Sequence, residues 1–251
     1  MINAGLWRKE IIEGKTAAAI CCMLTILAAV LVMFYPAGWL IQFYETPRQY
    51  LGDSFVSSSM LPHYYIWSVY ISRLLILFAS LAGFFLGIKS FAGEIAGGTA
   101  VFLSSRPVSS RDLVTSKLFA GASLLAVSLL PSALLFTALS GRYLPGSLEQ
   151  FWGNYLVLFL GAVAVYVGTM FFSSLVSRPW KAGVAAALFW GVACLTGFGE
   201  SSRIFSLFHH MRAPQLWVGT PNSLFIHLGA VLVLVLVFYE LTVLAWGRRE
   251  L

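Results

Sequence analysis

The chain has 251 residues, 59% of them hydrophobic and only 10% charged, with a formal net charge of +6. A soluble domain carries about 25% charged residues, so this composition excludes an ordinary soluble enzyme or binding module. The basic residues are spread over short segments between apolar runs, a pattern that membrane topology explains and that removes nucleic acid as a partner.

Residues 1–16 contain LWRKEIIEGK, with Leu6, Trp7 and Ile11 towards one side of a helix and Arg8, Lys9 and Glu13 elsewhere. This pattern predicts an interfacial helix on the membrane surface. Gly14-Lys15-Thr16 has the ending of a phosphate loop, but Lys9 stands where such a loop needs glycine, and no strand precedes it. The apolar run from Ala17 is longer than the roughly 7–15 residues of a cleaved signal core, which predicts a retained first span over residues 17–40. Residues 45–65 are polar, with Arg48 as their one basic residue, and are expected outside the cell. The second span is predicted over 66–88. In it Ala79, Gly83 and Gly87 are spaced by four, a row that lets another helix approach closely. Arg73 lies in this span and either snorkels outward or lines a polar path.

Residues 91–117 form the longest polar interruption that carries basic charge, with Arg106, Arg111 and Lys117 following Lys89. Basic loops translocate poorly, so this segment is expected on the cytoplasmic side. Glu94 opens a short helix in which Ile95, Thr99, Phe102 and Leu103 share a face at helical spacing. Pro107 stops that helix, and Ser109 with Asp112 three residues on resembles a capping box that starts the next one.

The third span is predicted over 118–139, kinked at Pro131, followed by an external loop with Arg142 and Glu149. The fourth span covers 155–176 and returns through a tight internal loop, residues 177–181. The fifth covers 182–198, with Gly183, Ala187 and Gly191 again spaced by four. Residues 199–223 read as an external interfacial or re-entrant segment around IFSLFHHM. The sixth span covers 224–246 and is closed by Arg248-Arg249. This topology puts eleven of the sixteen basic residues inside. The expected fold is therefore all-α: one transmembrane domain of six spans over residues 1–251, both termini cytoplasmic, in the cytoplasmic (inner) membrane.

Candidate chemistry is sparse. Cys21, Cys22 and Cys194 lie in apolar runs without zinc-type spacing, and no disulfide or metal site is expected. His63, His209, His210 and His227 fall in external segments or at the outer end of the sixth span, not in the facing positions a bis-histidine haem needs. Glu240, about two turns from the inner end of the sixth span, either pairs with a neighbouring helix or has a functional role. No catalytic residue and no nucleotide-binding motif is predicted. An ion-driven carrier would place carboxylates near the middle of its spans, and none is read there.

Glu94, Gly98-Thr99, Leu103, Ser105, Pro107-Val108-Ser109, Arg111 and Lys117 together resemble the signature of export-type (type-two) permease subunits of ATP-binding-cassette transporters, E-x-x-x-G-T-x-x-x-L-L-S-x-P-V-S-R…K. The chain departs from that pattern at Ile95-Ala96-Gly97, usually a charged run, at Ser104 in place of the second Leu, and in the position of Arg111. The Arg-Lys-Glu start and Arg-Arg-acid-Leu end are weaker features that look like the same family. The resemblance implies that the segment is a coupling helix between the second and third spans, with Glu94, Ile95, Gly98, Thr99, Phe102, Leu103, Arg106, Pro107 and Arg111 meeting an ATPase subunit. It also implies an exporter acting as a dimer, of two copies or of this chain with a relative, in contact with membrane lipid. ATP and Mg²⁺ would be bound by the partner, with no cofactor in this chain. The alternatives are a membrane scaffold or assembly factor that recruits a cytosolic partner, and an ion-coupled secondary carrier.

Overall fold

A computed structural model describes residues 4–34, 66–99, 109–140, 148–199, 202–213, 216 and 223–248. The elements are α1 (Ala4–Phe34), a π-helical stretch (Ile66–Leu75) that runs into α2 (Ile76–Ser90), α3 (Ala92–Ala96), α4 (Ser110–Ser140), α5 (Leu148–Leu175), α6 (Pro179–Leu195), two short 3₁₀ turns (Thr196–Phe198 and Arg203–Phe205), α7 (Leu207–Arg212) and α8 (Ser223–Gly247). Among the described residues five helices are long and apolar enough to cross a membrane: Gly5–Phe34, Trp67–Ala96, Ser110–Leu139, Leu148–Leu175 and Ser223–Gly247. α6, the counterpart of the expected fifth span, is a shorter apolar helix. Apolar helices of this length and number fit a multi-pass membrane protein.

α1 corrects the first expectation. Residues 4–16 are not a separate surface helix, because they continue without a break into the apolar run as one helix of 31 residues. At 1.5 Å per residue that helix is about 46 Å long, against about 30 Å for a hydrocarbon core. Its charged first turns therefore extend past the apolar slab. α4 starts as its sequence predicts: the Asp112 amide donates to Ser109 Oγ at 3.1 Å, and Ser109 Oγ donates to Asp112 Oδ2 at 2.8 Å. Pro131 lies inside α4 without ending it. Pro179 occupies the first turn of α6, where its missing N–H has no helical partner to lose.

α5 is the central helix, with 72% of its apolar window buried. Small residues explain how so many neighbours reach it. A Cβ on Gly83 of α2 would sit 2.6 Å from the Ala162 carbonyl oxygen, and one on Gly87 would sit 2.7 Å from Thr169 Cβ. From the other side Met211 of α7 fills the space over Gly161, and the Trp190 ring of α6 fills the space over Gly168. Polar pins then fix the register. Trp190 Nε1 donates to Thr169 Oγ1 at 3.1 Å, Asn154 Nδ2 to the Met211 carbonyl at 3.1 Å, and the Tyr155 hydroxyl to the Leu129 carbonyl. Tyr70, Phe136 and Phe151 stack in a file, with centroids 4.6 and 4.9 Å apart. α1 is held along α4 by Thr25 Oγ1 donating to the Ser128 carbonyl and Ser128 Oγ to the Ala18 carbonyl.

The two small-residue rows behave differently. The α2 row is a helix contact, as its spacing predicts. In α6 the buried residues are Ala182, Ala186 and Trp190, while Ala187 and Gly191 are exposed and a Cβ on Gly191 would meet nothing within 4 Å. Of the α6 row only Gly183 meets a neighbour, its Cβ position lying 3.2 Å from Ile88 Cδ1, so the row is not a continuous seam within the described residues and the expectation that Gly191 is a close-contact position is corrected. Gly87→Leu should lower the yield and melting temperature of detergent-purified protein, because overpacking typically costs about 1–3 kcal/mol. Gly191→Leu should leave both unchanged, and thermal melts of the two variants beside wild type check the contrast.

Candidate functional site: a buried charge cluster where three helices meet

Lys117 sits in the second turn of α4, next to Gly121, whose missing side chain leaves room for the Tyr166 ring. Its side chain is 1% exposed. The ammonium has three N–H directions, and each meets an acceptor: Glu10 Oε1 of α1 at 2.5 Å, the Ser90 carbonyl at the end of α2 at 2.8 Å, and Glu94 Oε1 of α3 at 3.0 Å. The same ammonium lies 5.1 Å from the centroid of the Phe91 ring. Glu94 Oε1 also accepts from Lys9 Nζ at 2.8 Å, and Lys9 reaches Glu13 more loosely at 3.7 Å. Lys9, Glu10, Glu94 and Lys117 carry balanced charge, as a cluster withdrawn from water requires.

The backbone around Glu94 is shaped to face it inward. Ser173 Oγ of α5 accepts from the amides of Phe91 and Ala92 and donates to the Ile88 carbonyl, so these backbone groups at the break between α2 and α3 are satisfied. Phe91 packs on Trp246 of α8 with centroids 4.4 Å apart. α3 ends after five residues, and Gly98 adopts φ +72, a conformation that favours glycine. The Gly98 amide donates to the Ile95 carbonyl, and Thr99 Oγ1 to the Glu94 carbonyl.

This geometry changes the reading of the predicted residues. Glu94 does not open a helix that runs on through Leu103: it lies inside α3, whose end comes at Ala96. Its carboxylate is 4% exposed and held in ion pairs, with Oε2 lacking a hydrogen-bond partner among the described residues. Ile95 packs partly buried against the core, whereas Gly98 and Thr99 are exposed. Phe102, Leu103, Arg106 and Pro107 lie outside the described residues. Arg111 pairs with Glu240 of α8 at 3.3 Å, with both side chains largely exposed. Beside that pair the Thr115 and Tyr239 hydroxyls are hydrogen-bonded at 2.8 Å. Arg73 falls in the π-helical stretch, exposed on the outside of the bundle.

Sequence reasoning missed the cluster because it judged ionisable groups helix by helix. Arg8, Lys9 and Glu13 read as the polar side of a surface helix, Glu10 is given no role there, and Lys117 reads as a loop cation. The available signal was Glu10 standing about two turns before one apolar run and Lys117 directly beside another, on helices that must pack together.

Histidines form a second polar group. His210 Nε2 donates to the Ile204 carbonyl at 2.7 Å, which leaves Nδ1 to accept from His227 Nδ1 at 2.9 Å. His209 stands beside both rings. Burial, then the neighbouring His210, Arg203 and Arg212, push the His209 imidazole down to about 4. Among the described residues no group of three or more His, Cys, Asp or Glu side chains could hold a metal ion.

No protein-family model matches the chain, and no curated protein matches it.

Two outcomes test these descriptions. Lys117→Met leaves Glu94 and Glu10 without their cation, and breaking a buried pair costs about 3–5 kcal/mol. It should therefore sharply reduce folded yield, and the triple variant Glu10→Gln/Glu94→Gln/Lys117→Met should recover part of the loss, read by size-exclusion profile and melting temperature. The second outcome is a pH dependence. The His209 value falls from 6.5 in the unfolded chain to about 4 in the fold, so unfolded chains take up the proton first. The associated stability is complete above 6.5 and is lost as pH falls towards 4. Melting temperatures should drop across that window, and His209→Gln should flatten the drop.

Proposed function

We propose that the chain is the membrane-spanning permease subunit of an ATP-driven exporter, working with a separately encoded ATP-binding-cassette ATPase. The observation that carries this reading is the attachment of Glu94. α3, the last turn of the second long apolar stretch (Trp67–Ala96), is tied through one buried carboxylate to α1 and α4 together. The Ser173 hydroxyl and Trp246 add attachments to α5 and α8. A force applied to this short segment from outside the bundle would reach four long helices through polar contacts and packing, which is what a coupling element requires. The sequence resemblance over residues 94–117 gives the same assignment on independent grounds.

In this reading the chain pairs with a second copy or a relative across the membrane. The ATPase subunits hold ATP and Mg²⁺ and supply the phosphoryl chemistry, and ligand-dependent contacts with the segment shift the bundle between states. No residue of this chain is catalytic. Membrane orientation, with residues 94–111 and both termini in the cytoplasm, belongs to the same proposal.

A second reading has one observation in its favour. Glu94 Oε2 is buried without a hydrogen-bond partner among the described residues, close to Glu10 and two lysines. Such a carboxylate suits an ion-coupled carrier.

The experiment is purification of the full chain from its native membranes in mild detergent, with protein partners identified and ATP turnover measured. An ATP-binding-cassette ATPase should be retained, and Phe102→Ala should lower its retention about tenfold or more, the cost of truncating an interface anchor. Full retention and turnover in Phe102→Ala and in Ile95→Ala/Phe102→Ala would remove the coupling role and favour a scaffold. Proton-driven uptake in ATP-free vesicles, abolished by Glu94→Gln, would favour the carrier.

A further inference from the structure

A cavity of about 510 Å³ opens between α1, α2 and α4, beside the charge cluster. One end is apolar, with Ile20, Leu24, Phe78, Leu81 and Phe85. The other end is polar, with Glu13, Thr16, Lys89 and Ser90. Along α1 it extends from Glu10 to Leu24, a rise of about 21 Å. Along the antiparallel α2 it extends from Ser90 to Phe78, about 18 Å. Half of a hydrocarbon core is about 15 Å, and the headgroup zone adds about 5–7 Å on each side. The slot therefore matches one leaflet in length, with its charged end at headgroup depth, where the first turns of α1 extend past the apolar slab. Ile20, Leu24, Leu81 and Phe85 are all exposed at its wall, so a chain can enter sideways from the bilayer.

The polar end is incompletely satisfied by the protein. Ser90 Oγ is buried and has no hydrogen-bond partner among the described residues. Lys89 is exposed and forms no ion pair within them. Glu13 is 59% exposed and reaches only Lys9, at 3.7 Å. Glu10 is already occupied by Lys117 and contributes no free charge. The mouth thus presents one cation and one anion, next to a hydroxyl that lacks a partner.

We propose that this slot holds one acyl chain of a zwitterionic membrane phospholipid with a primary amine. Its phosphate lies at Lys89 and Ser90, and its ammonium at Glu13. An anionic headgroup would leave Glu13 facing negative charge, and a quaternary amine would lack the N–H donors that a carboxylate accepts. The site lies within one chain and does not rest on the exporter reading.

The test is native mass spectrometry of the full chain in nonionic detergent, titrated in turn with phosphatidylethanolamine, phosphatidylcholine and phosphatidylglycerol. Phosphatidylethanolamine adducts should dominate. Ala17→Phe, which fills the slot, should reduce them about tenfold, as should Lys89→Glu or Glu13→Lys through loss of a charged hydrogen bond. The last two positions are exposed, so their substitution leaves the fold intact even where Ala17→Phe does not. Equal adducts from all three lipids, adducts unchanged in Lys89→Glu and Glu13→Lys, or a preference for phosphatidylglycerol would overturn the proposal.

Discussion

The contact on which the described bundle most depends is the one between Lys117 and its three acceptors. Moving an ammonium out of water costs several kcal/mol even after the protein relaxes (about that order for each ion). The cost is offset only when every N–H is used and opposite charge is close. Both conditions hold here, and they can hold in only one arrangement of α1, α2, α3 and α4. A shift of α1 by one residue would rotate Glu10 away from Lys117 by about 100°, leaving a buried cation partly unpaired. The value of the cluster is therefore in specifying register, since apolar packing in lipid distinguishes poorly between registers that bury similar area.

Membrane burial makes this division of labour necessary. Lipid tails are as apolar as leucine, so the helices gain little by hiding leucine from lipid. What remains is close packing and hydrogen bonding, and the two are found together on α5. Gly161 and Gly168 admit Met211 and Trp190, while Thr169 and Asn154 bind the elements that arrive. The same logic explains the α2–α5 seam, where Gly83 and Gly87 bring one backbone against another. In α6 the contact is made by Trp190 together with Ala182 and Ala186, while Ala187 and Gly191 face away.

Much of the fold was legible in the sequence because apolar length and local caps are properties of contiguous residues. The Ser109–Asp112 cap and the apolar runs of five long helices could be read without knowing any neighbour, whereas Pro179, expected in a tight loop, opens α6. What escaped depended on neighbours. Glu94 looked like a helix opener because Ile95, Thr99, Phe102 and Leu103 after it share a face at helical spacing. Its destination was decided by Lys9 and Lys117, 85 and 23 positions away. Gly97-Gly98 carried a local signal against a continuous helix, and the positive φ of Gly98 is its consequence. The row Gly183, Ala187 and Gly191 has the same spacing as the row in α2, and only the position of Trp190 tells them apart. His210 and His227, on separate elements, could not have been paired from sequence.

The two ion-pair groups at this end of the bundle have opposite mechanical characters. Lys117 and Glu94 are almost fully buried, and separating such a pair costs about 3–5 kcal/mol. Arg111 and Glu240 are 69% and 51% exposed, and pairs in that setting contribute about 0–1 kcal/mol. A displacement that kept α1, α3 and the start of α4 together would break none of the costly contacts. One that slid α4 against α8 would break an exposed pair and a single hydroxyl contact between Thr115 and Tyr239. The α4–α8 seam therefore resists sliding less than the Lys117 cluster does, with α3 carried along with that cluster. Phe91 sits at the boundary, since it belongs to the Lys117 cluster through its ring face and to α8 through Trp246. Any rearrangement that moves the charge cluster relative to α8 has to pass through that one aromatic contact. It is apolar and can slide without stranding a charge, so the end of the bundle richest in charge has its freedom of movement where no charge must be exposed.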